Sequence, residues 1–352
     1  MLLLFTLLYN MKIGANDIAA VKIGSVDVNK VYLGANLVWE KASPTPFIFE
    51  VTVLAGGTID PTMNINPTYS LFQVDWGDGN VESFTATGKR LHTYNSAGSY
   101  EVKVFEGIGA VYFSADSWLS KINQWGSIKW TGLNFVNFFQ STNLLANYVD
   151  FPNLDLYNGS FFNLFNGCVL WNGYMDDWNV SGVTNFQNLF RNCTNFNQSL
   201  NTWNTSNVLN MGNLFLNCSN FNQPLNNWDT SKVTEFGYIF EGCTSFNQSL
   251  ATWNVSSVTN MDRSFRLCTS FDQSLADWNI TSVTNMNAMF AGVTLSTENY
   301  DATLISWAAQ AVQSNVPFHG GNSKYTAGGA AEAARNTLIN TYGWTITDGG
   351  AA

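Results

Sequence analysis

The sequence predicts a mainly β protein with short helices, in which a β-sandwich precedes a solenoid of stacked short repeats and a helical cap closes the C-terminal end. Three observations predict it: strand-like alternation before the repeats, a strict period through the middle of the chain, and two helical stripes near its end. With 352 residues and 45% hydrophobic content, the chain can fill more than one core.

The period is the dominant signal. Cys168, Cys193, Cys218, Cys243 and Cys268 stand 25 residues apart, and every cysteine of the chain lies on that lattice. Trp178, Trp203, Trp228, Trp253 and Trp278 keep the same interval, as do Phe165, Phe190, Phe215, Phe240, Phe265 and Phe290, and the valines from Val183 to Val283. Apolar residues in fixed phase mean that one supersecondary element is stacked on copies of itself, each burying its face only against its neighbours. Within a repeat, Val258, Met261, Phe265 and Cys268 have the spacing of a short helical turn, and Phe271 to Trp278 read as an extended return. The expected coil has one helical or 3₁₀ side and one short parallel strand, with same-phase side chains forming ladders about 4.8 Å apart.

A thiol ladder invites a metal cluster or a disulfide framework. The spacing opposes both, because there is no Cys-x-x-Cys pair, five is an odd number, and parallel neighbours point their side chains alike. Buried, reduced, structural thiols are the expectation, and Val293 in the next slot shows that an apolar residue serves there. Asn172, Asn197, Asn222, Asn247 and Asp272 form a polar row beside the Phe196 to Phe271 rungs. It could bind a ligand, or it could satisfy backbone groups at the turn of each coil, as half-buried polar groups generally must. Asn201, Asn226, Ala251 and Ala276 are expected to be simply exposed.

The repeat running from Val258-Thr259-Asn260-Met261 through Phe265, Cys268, Phe271, Gln273, Leu275 and Trp278 resembles that of BspA-type leucine-rich-repeat surface proteins of bacteria. The resemblance covers residues 161–294 and extends into the tail at Leu295 to Trp307 and Tyr342 to Gly349. It implies a leucine-rich-repeat-like, right-handed solenoid that serves as an adhesin or display scaffold, without a catalytic centre.

The tail, 295–352, reads as a cap. Ser296 or Thr297 can cap a helix with Leu304, Ile305, Ala308, Ala311 and Val312 on one stripe, a second stripe carries Ala331, Ala334, Leu338 and Ile339, and Trp344 and Ile346 alternate as a closing strand. Such helices protect the open end of a stack from end-to-end association. At the other end, residues 109–160 read as an N-terminal cap with a degenerate coil.

Residues 46–108 carry alternating strands at Phe47 to Val53, Leu71 to Trp76 and Tyr100 to Val104, with a hairpin signal at Gly77-Asp78-Gly79-Asn80. The set Val74-Asp75-Trp76-Gly77-Asp78-Gly79, His92-Thr93-Tyr94, Gly98 and Tyr100 resembles a polycystic-kidney-disease-type (PKD) domain, which implies an immunoglobulin-like β-sandwich used as a spacer or contact module. Asp75 and Asp78 beside His92 suggest a catalytic or calcium site, but short aspartates in a turn chiefly stabilise the turn. His319, the only other histidine, follows Pro317 with no partner implied by spacing.

Residues 1–45 end in a small hairpin, Ile23 to Glu40, turning at Gly34-Ala35-Asn36 and followed by a Ser43-Pro44-Thr45-Pro46 linker. The hairpin is similar to N-terminal modules of bacteriophage tail and other virion-associated proteins, which implies docking onto a particle through other virion proteins. The apolar run Leu2 to Leu8 lacks a charged leader and is too short to span a bilayer, and Met11 offers a second start.

Charge excludes some partners. A net charge of -10 with only 15 Lys and Arg leaves no basic stripe for nucleic acid or anionic lipid. No catalytic, cofactor-binding or metal residues are expected, and neither nucleic-acid binding nor membrane insertion. The sequence thus predicts a non-enzymatic virion structural protein of a bacteriophage (tail, baseplate or head-fibre type), homo-oligomeric in the particle, whose solenoid meets a host surface protein or glycan. The alternative is an extracellular adhesin on a bacterial cell surface.

Overall fold

A computed structural model of the protein describes residues 159–352 throughout, most of 46–125, the pair 145–146, and four short strands within 1–45. Residues 1–45 form one compact unit and 46–352 a second. In the first, β1 (Val21–Ile23) pairs antiparallel with β2 (Val26–Val28), and β3 (Lys30–Leu33) with β4 (Asn36–Glu40). The single hairpin expected there is thus two. The Leu2 to Leu8 run lies outside the described residues.

The second unit begins with β5 (Phe47–Val53), β6 (Thr58–Ile59), β7 (Thr62–Ile65), β8 (Phe72–Asp75), β9 (Val81–Phe84), β10 (Gly88–Lys89), β11 (His92–Thr93), β12 (Gly98–Val104), β13 (Ile108–Tyr112), β14 (Leu119–Gln124) and β15 (Leu145–Ala146). Period-two alternation buries Phe47, Phe49, Val51 and Val53 on one face of β5, and Phe72, Val74, Val102 and Val104 join them from β8 and β12. One six-stranded sheet has the order β15-β14-β5-β12-β8-β9, a three-stranded sheet the order β10-β7-β13, and β11 pairs with β6. Strand β13 runs from Ile108 past the expected boundary and β14 lies beyond it, yet they pair with β7 and β5, so the sheets continue into the segment read as a cap with a degenerate coil. Trp125, at the end of β14, meets Trp178 of the first repeat edge-on at 5.1 Å.

From residue 160 the repeats stack in parallel, each offset by 25 residues. Bridges link Ser160 to Asn185, Asn185 to Asn210, and so on through Glu235, Asn260 and Asn285. Each is a single-residue bridge, so the short parallel strand expected of every coil is not formed. The helical side is likewise a run of turns. Its N–H groups alternate: those of Phe186, Asn188, Phe190 and Asn192 donate to carbonyls of the next repeat at 2.7–3.1 Å, while those of Leu189, Arg191 and Cys193 donate three residues back. A continuous helix would use every N–H locally. Left-handed residues four apart, such as Asn188 (φ 59°) and Asn192 (φ 61°), break it and free alternate donors for the neighbouring repeat.

The stack ends in two helices, α1 (Thr297–Ala308) and α2 (Ala330–Asn340), and two strands, β16 (Pro317–His319) and β17 (Thr345–Thr347), paired in parallel. Met286 N–H donates to Pro317 and Phe290 N–H to His319, so β16 takes the place of a further repeat. Ser296 caps α1, whose buried side is Tyr300, Thr303, Leu304 and Trp307. Ile305 is exposed, and Ala311 and Val312 lie past the helix end at Ala308, so the stripe expected there is shifted and shorter. The reason lies in the partner surface: Thr303 accepts from Leu275 N–H at 3.1 Å and Trp307 donates to the Leu275 carbonyl at 3.1 Å, which fixes the helix by polar as well as apolar contacts. Among the described residues the protein is mainly β with these two short helices, no sheet closes into a barrel, and no helix is long and apolar enough to cross a membrane.

Candidate functional site

Most positions of the repeat are consumed by the fold. The first phenylalanine row stacks from Phe165 to Phe290 with ring centroids 5.4–5.8 Å apart. A second row runs through Phe196, Phe221, Phe246 and Phe271 at 5.8–6.1 Å. Trp203, Trp228 and Trp253 lie near-parallel at 6.2–6.4 Å, and from Trp203 to Trp278 each indole N–H donates to a carbonyl 28 residues earlier at 2.8–3.0 Å. Trp178 is buried at the foot of that row.

All five cysteines are buried, and none is in a disulfide. The thiols of Cys193, Cys218, Cys243 and Cys268 donate to the carbonyls of Phe165, Phe190, Phe215 and Phe240 at 2.7–3.0 Å. Burial pushes those four thiols up, well away from thiolate formation at neutral pH. Among the described residues no group of three His, Cys, Asp or Glu is placed to hold a metal.

The asparagine row is consumed as well. Asn172, Asn197, Asn222 and Asn247 each accept, through Oδ1, the backbone N–H of the residue one repeat on at 2.9–3.0 Å, and Asp272 accepts that of Ser296 at 2.7 Å. Gln223, Gln248 and Gln273 donate to the same oxygens at 2.9–3.1 Å. Of its two readings, satisfaction of the backbone is the one the geometry bears out. Asn201 joins a similar exchange, accepting from Asn227 N–H at 3.1 Å.

Residue type changes from repeat to repeat at several slots, some of them on the turn run. Position 188 of one repeat is Asn, then Asn213, Tyr238, Arg263 and Ala288; position 191 is Arg, then Leu216, Glu241, Arg266 and Ala291. In the two adjacent repeats 233–257 and 258–282 these side chains form a connected row. Arg263 lies over the Tyr238 ring at 5.3 Å, Arg266 meets Glu241 at 2.6 Å, and Glu235 accepts from Gly237 N–H at 2.7 Å and from Asn260 Nδ2 at 2.8 Å. Burial and the neighbouring Asp262 raise the Tyr238 hydroxyl above its usual value, with Arg263 opposing them. The row mixes one aromatic, two guanidinium and three carboxylate groups, which suits contact with a polar macromolecular surface and offers no nucleophile with an adjacent base. Sequence reasoning missed it because these positions break the pattern instead of forming it.

Residues 159–256 and 224–325 match the family described as "Mycoplasma protein of unknown function, DUF285". The two matches overlap at 224–256, as matches to repeated sequence do, and cover the repeats and the start of the cap. This family is associated with BspA-like repeat surface proteins. No curated protein and no solved structure matches the chain.

A second cluster lies at the β8–β9 hairpin. Asp75 Oδ1 accepts from Gly77 N–H and Asp78 Oδ1 from Asn80 N–H, both at 3.0 Å, so the two aspartates brace the turn as their spacing suggests. Asp78 also meets His92 Nε2 at 2.9 Å, a pairing across 14 residues that joins two groups placed together on sequence grounds. The His92 ring stacks on Trp76 at 4.6 Å, Tyr94 donates to the Trp76 carbonyl at 3.0 Å, and Trp76 Nε1 donates to Glu82 at 3.0 Å. Burial pushes the Asp78 carboxyl up, but hydrogen bonds from Asn80 and His92 outweigh it and hold the group below its ordinary value. His92 is thereby occupied in packing β11 against the hairpin. His319 Nδ1 accepts from Gly321 N–H at 3.0 Å, so it too has a local structural task.

Proposed function

We propose that the protein is a non-enzymatic recognition scaffold. In this reading residues 161–294 are a leucine-rich-repeat-like, right-handed solenoid, residues 46–108 form the core of a PKD-type, immunoglobulin-like sandwich that spaces it, and the job of the whole is contact. The observation that supports it most is the division of labour within the repeat: aromatic, thiol and asparagine rows are held by hydrogen bonds and packing, while residue type changes at other slots, among them Tyr238, Glu241, Arg263 and the part-exposed Arg266. A rigid lattice with a changeable surface is how repeat scaffolds vary a partner at constant fold.

Two settings fit that role. The resemblance of the N-terminal hairpin to virion-associated modules supports a bacteriophage structural protein, homo-oligomeric in the particle, that docks through residues 1–45 and reaches a host surface protein or glycan. The match to a family associated with bacterial repeat surface proteins favours the second setting, an adhesin on the bacterial cell surface. Antibody labelling of intact cells and of purified particles from the producing strain separates them. Label on particles supports the first, label on cell envelopes the second, and label found only in lysed cytosol would remove both. Turnover of any member of a glycan and peptide substrate panel, lost on no more than a point substitution, would replace the scaffold reading with an enzymatic one.

A further inference from the structure

Directly after the tryptophan row the chain turns in the same way in every coil. Asn179, Asn204, Asp229, Asn254 and Asn279 are exposed, the residue after each is buried, and Ser181, Ser206, Ser231, Ser256 and Thr281 stand two places on. Each Oδ1 accepts the backbone N–H of that serine or threonine at 2.9–3.3 Å. The hydroxyls of Ser181, Ser256 and Thr281 donate to the same oxygen at 2.7–2.8 Å. The turn thus needs an acceptor oxygen and no nitrogen, and Asp229 makes it with the shortest of the five backbone bonds. Four of the five coils nevertheless present a carboxamide. Among the described residues the Nδ2 of Asn204, Asn254 and Asn279 donates to no protein atom.

Asn-x-Ser/Thr, with x other than proline, is the triplet that accepts a sugar on its carboxamide, and it does so on a surface turn. The repeat writes the triplet in other slots too, but there the fold has already engaged the side chain. Asn217 Nδ2 donates to Asn192 Oδ1 at 2.8 Å, which ties Asn192-Cys193-Thr194 to Asn217-Cys218-Ser219 across two coils. The carboxamides of Asn197 and Asn247 are held between coils by backbone and glutamine donors at 2.9–3.1 Å. Position in the fold therefore separates one row of triplets from the rest.

We infer that Asn179, Asn204, Asn254 and Asn279 are a row of N-glycosylation acceptors, each taking a sugar from an activated donor of the glycosyl-diphosphate class. In the transfer the bond from the anomeric carbon to the phosphate oxygen breaks and the diphosphate leaves with its electron pair. A bond from that carbon to Nδ2 forms, and one amide proton passes to a base of the transferase. At Asn254 and Asn279 two donors hold Oδ1 toward the turn, which leaves Nδ2 on the solvent side. Adjacent acceptors are one coil apart, and indoles at that spacing lie 6.2–6.4 Å between centroids. That leaves room for a single sugar ring on each coil and not for a branched glycan on each.

The test is peptide mapping by mass spectrometry, with fragmentation that locates the modified residue, on the full chain purified from the strain that produces it. Single hexose or N-acetylhexosamine increments should appear on Asn179, Asn204, Asn254 and Asn279 and not on Asn192, Asn197, Asn217 or Asn247. Four unmodified positions would overturn the inference, and increments shared equally by the two sets would overturn its basis in the fold. Asn254→Asp keeps the acceptor oxygen, as Asp229 does, so it should melt with the wild type and lose its increment. Ser256→Ala should lose the increment as well. An Asn254→Asp protein that melts well below wild type would show that the nitrogen belongs to the fold, and the row would then be structural.

Discussion

The indole N–H of Trp253 donates to the carbonyl of Leu225, 28 residues earlier, at 2.9 Å. The same relationship ties Trp307 of α1 to Leu275, 32 residues earlier, at 3.1 Å, although Trp307 belongs to a helix and not to a repeat. The cap therefore continues the tryptophan row with different backbone, and the Leu275 carbonyl keeps an indole donor as its counterparts in earlier repeats do. Gln310 extends the device, accepting from Ile280 N–H and donating to the Trp278 carbonyl, both at 2.9 Å.

Truncating Trp253 to Ala removes a rung that touches Trp228, Phe236 and Phe240, and leaves the Leu225 carbonyl with the Trp228 N–H as its remaining donor. The expected loss is about 3–5 kcal/mol in denaturant unfolding. Trp253→Phe, which keeps the ring but not the donor, should lie between wild type and Ala. Equal losses for the two variants would assign the rung's value to the hydrogen bond alone.

Acid should loosen the junction between the last repeat and the cap through Asp272. Burial pushes its carboxyl up, but the bonds from Asn299 and from Ser296 N–H and hydroxyl hold it below the ordinary carboxylate value. A carboxyl lowered by folding stabilises the fold above its unfolded-chain pKa, and that contribution disappears as pH falls through the folded value. Asp272→Asn keeps the Oδ1 acceptor that Asn247 uses one repeat earlier, so stability at pH 7 should change little. Its unfolding midpoint should fall less steeply than wild type on acidification below about pH 4, which chemical denaturation across a pH series would measure.

The inward rows were legible because identical inward environments demand identical residues: Phe, Trp, Cys and Asn recur wherever the same contact recurs. Strands β5, β8 and β12 were legible from alternation for the same reason. The left-handed positions were not, since Tyr238, Arg263 and Leu267 carry no turn signal, and only the stacked geometry assigns them their φ. Strands β13 and β14 were read as a degenerate coil because a Phe-, Trp- and Asn-rich segment resembles the repeats in composition, whereas pairing with β7 and β5 decides its place. Asp78 and His92 were set together from the sequence, whereas the bond from Trp76 Nε1 to Glu82 and the stacking of His92 on Trp76 emerged only in the fold.

Within the cap, Arg335 grips Asp348 through two nitrogens at 2.8 and 3.2 Å, and Tyr300 donates to the same carboxylate at 2.9 Å. The Asp348 side chain is only 2% exposed. Arg335→Ala leaves that charge buried without its cation and should cost about 3–5 kcal/mol. Arg335→Lys keeps the charge but not the planar fork, so it should recover part of the loss. Because Tyr300 belongs to α1 and Arg335 to α2, a proteolysis pattern in which the Arg335→Ala cap is cut before the repeats would accompany the loss.

The cysteine row makes a prediction that separates packing from chemistry. Burial holds the Cys243 thiol well above its ordinary value, and its Sγ–H is occupied by the Phe215 carbonyl at 3.0 Å, so neither thiolate nor open access is present for reaction. A disulfide-exchange reagent at pH 8 should leave the native thiols unmodified and titrate five per chain once the protein is unfolded, the count that the sequence contains. Cys243→Val should fold and unfold close to wild type, because Val293 fills the equivalent slot at 1% exposure and the lost thiol bond is weak. Rapid labelling of one native thiol, or a valine variant that no longer folds, would mean that the row has a chemical task in addition to its place in the core.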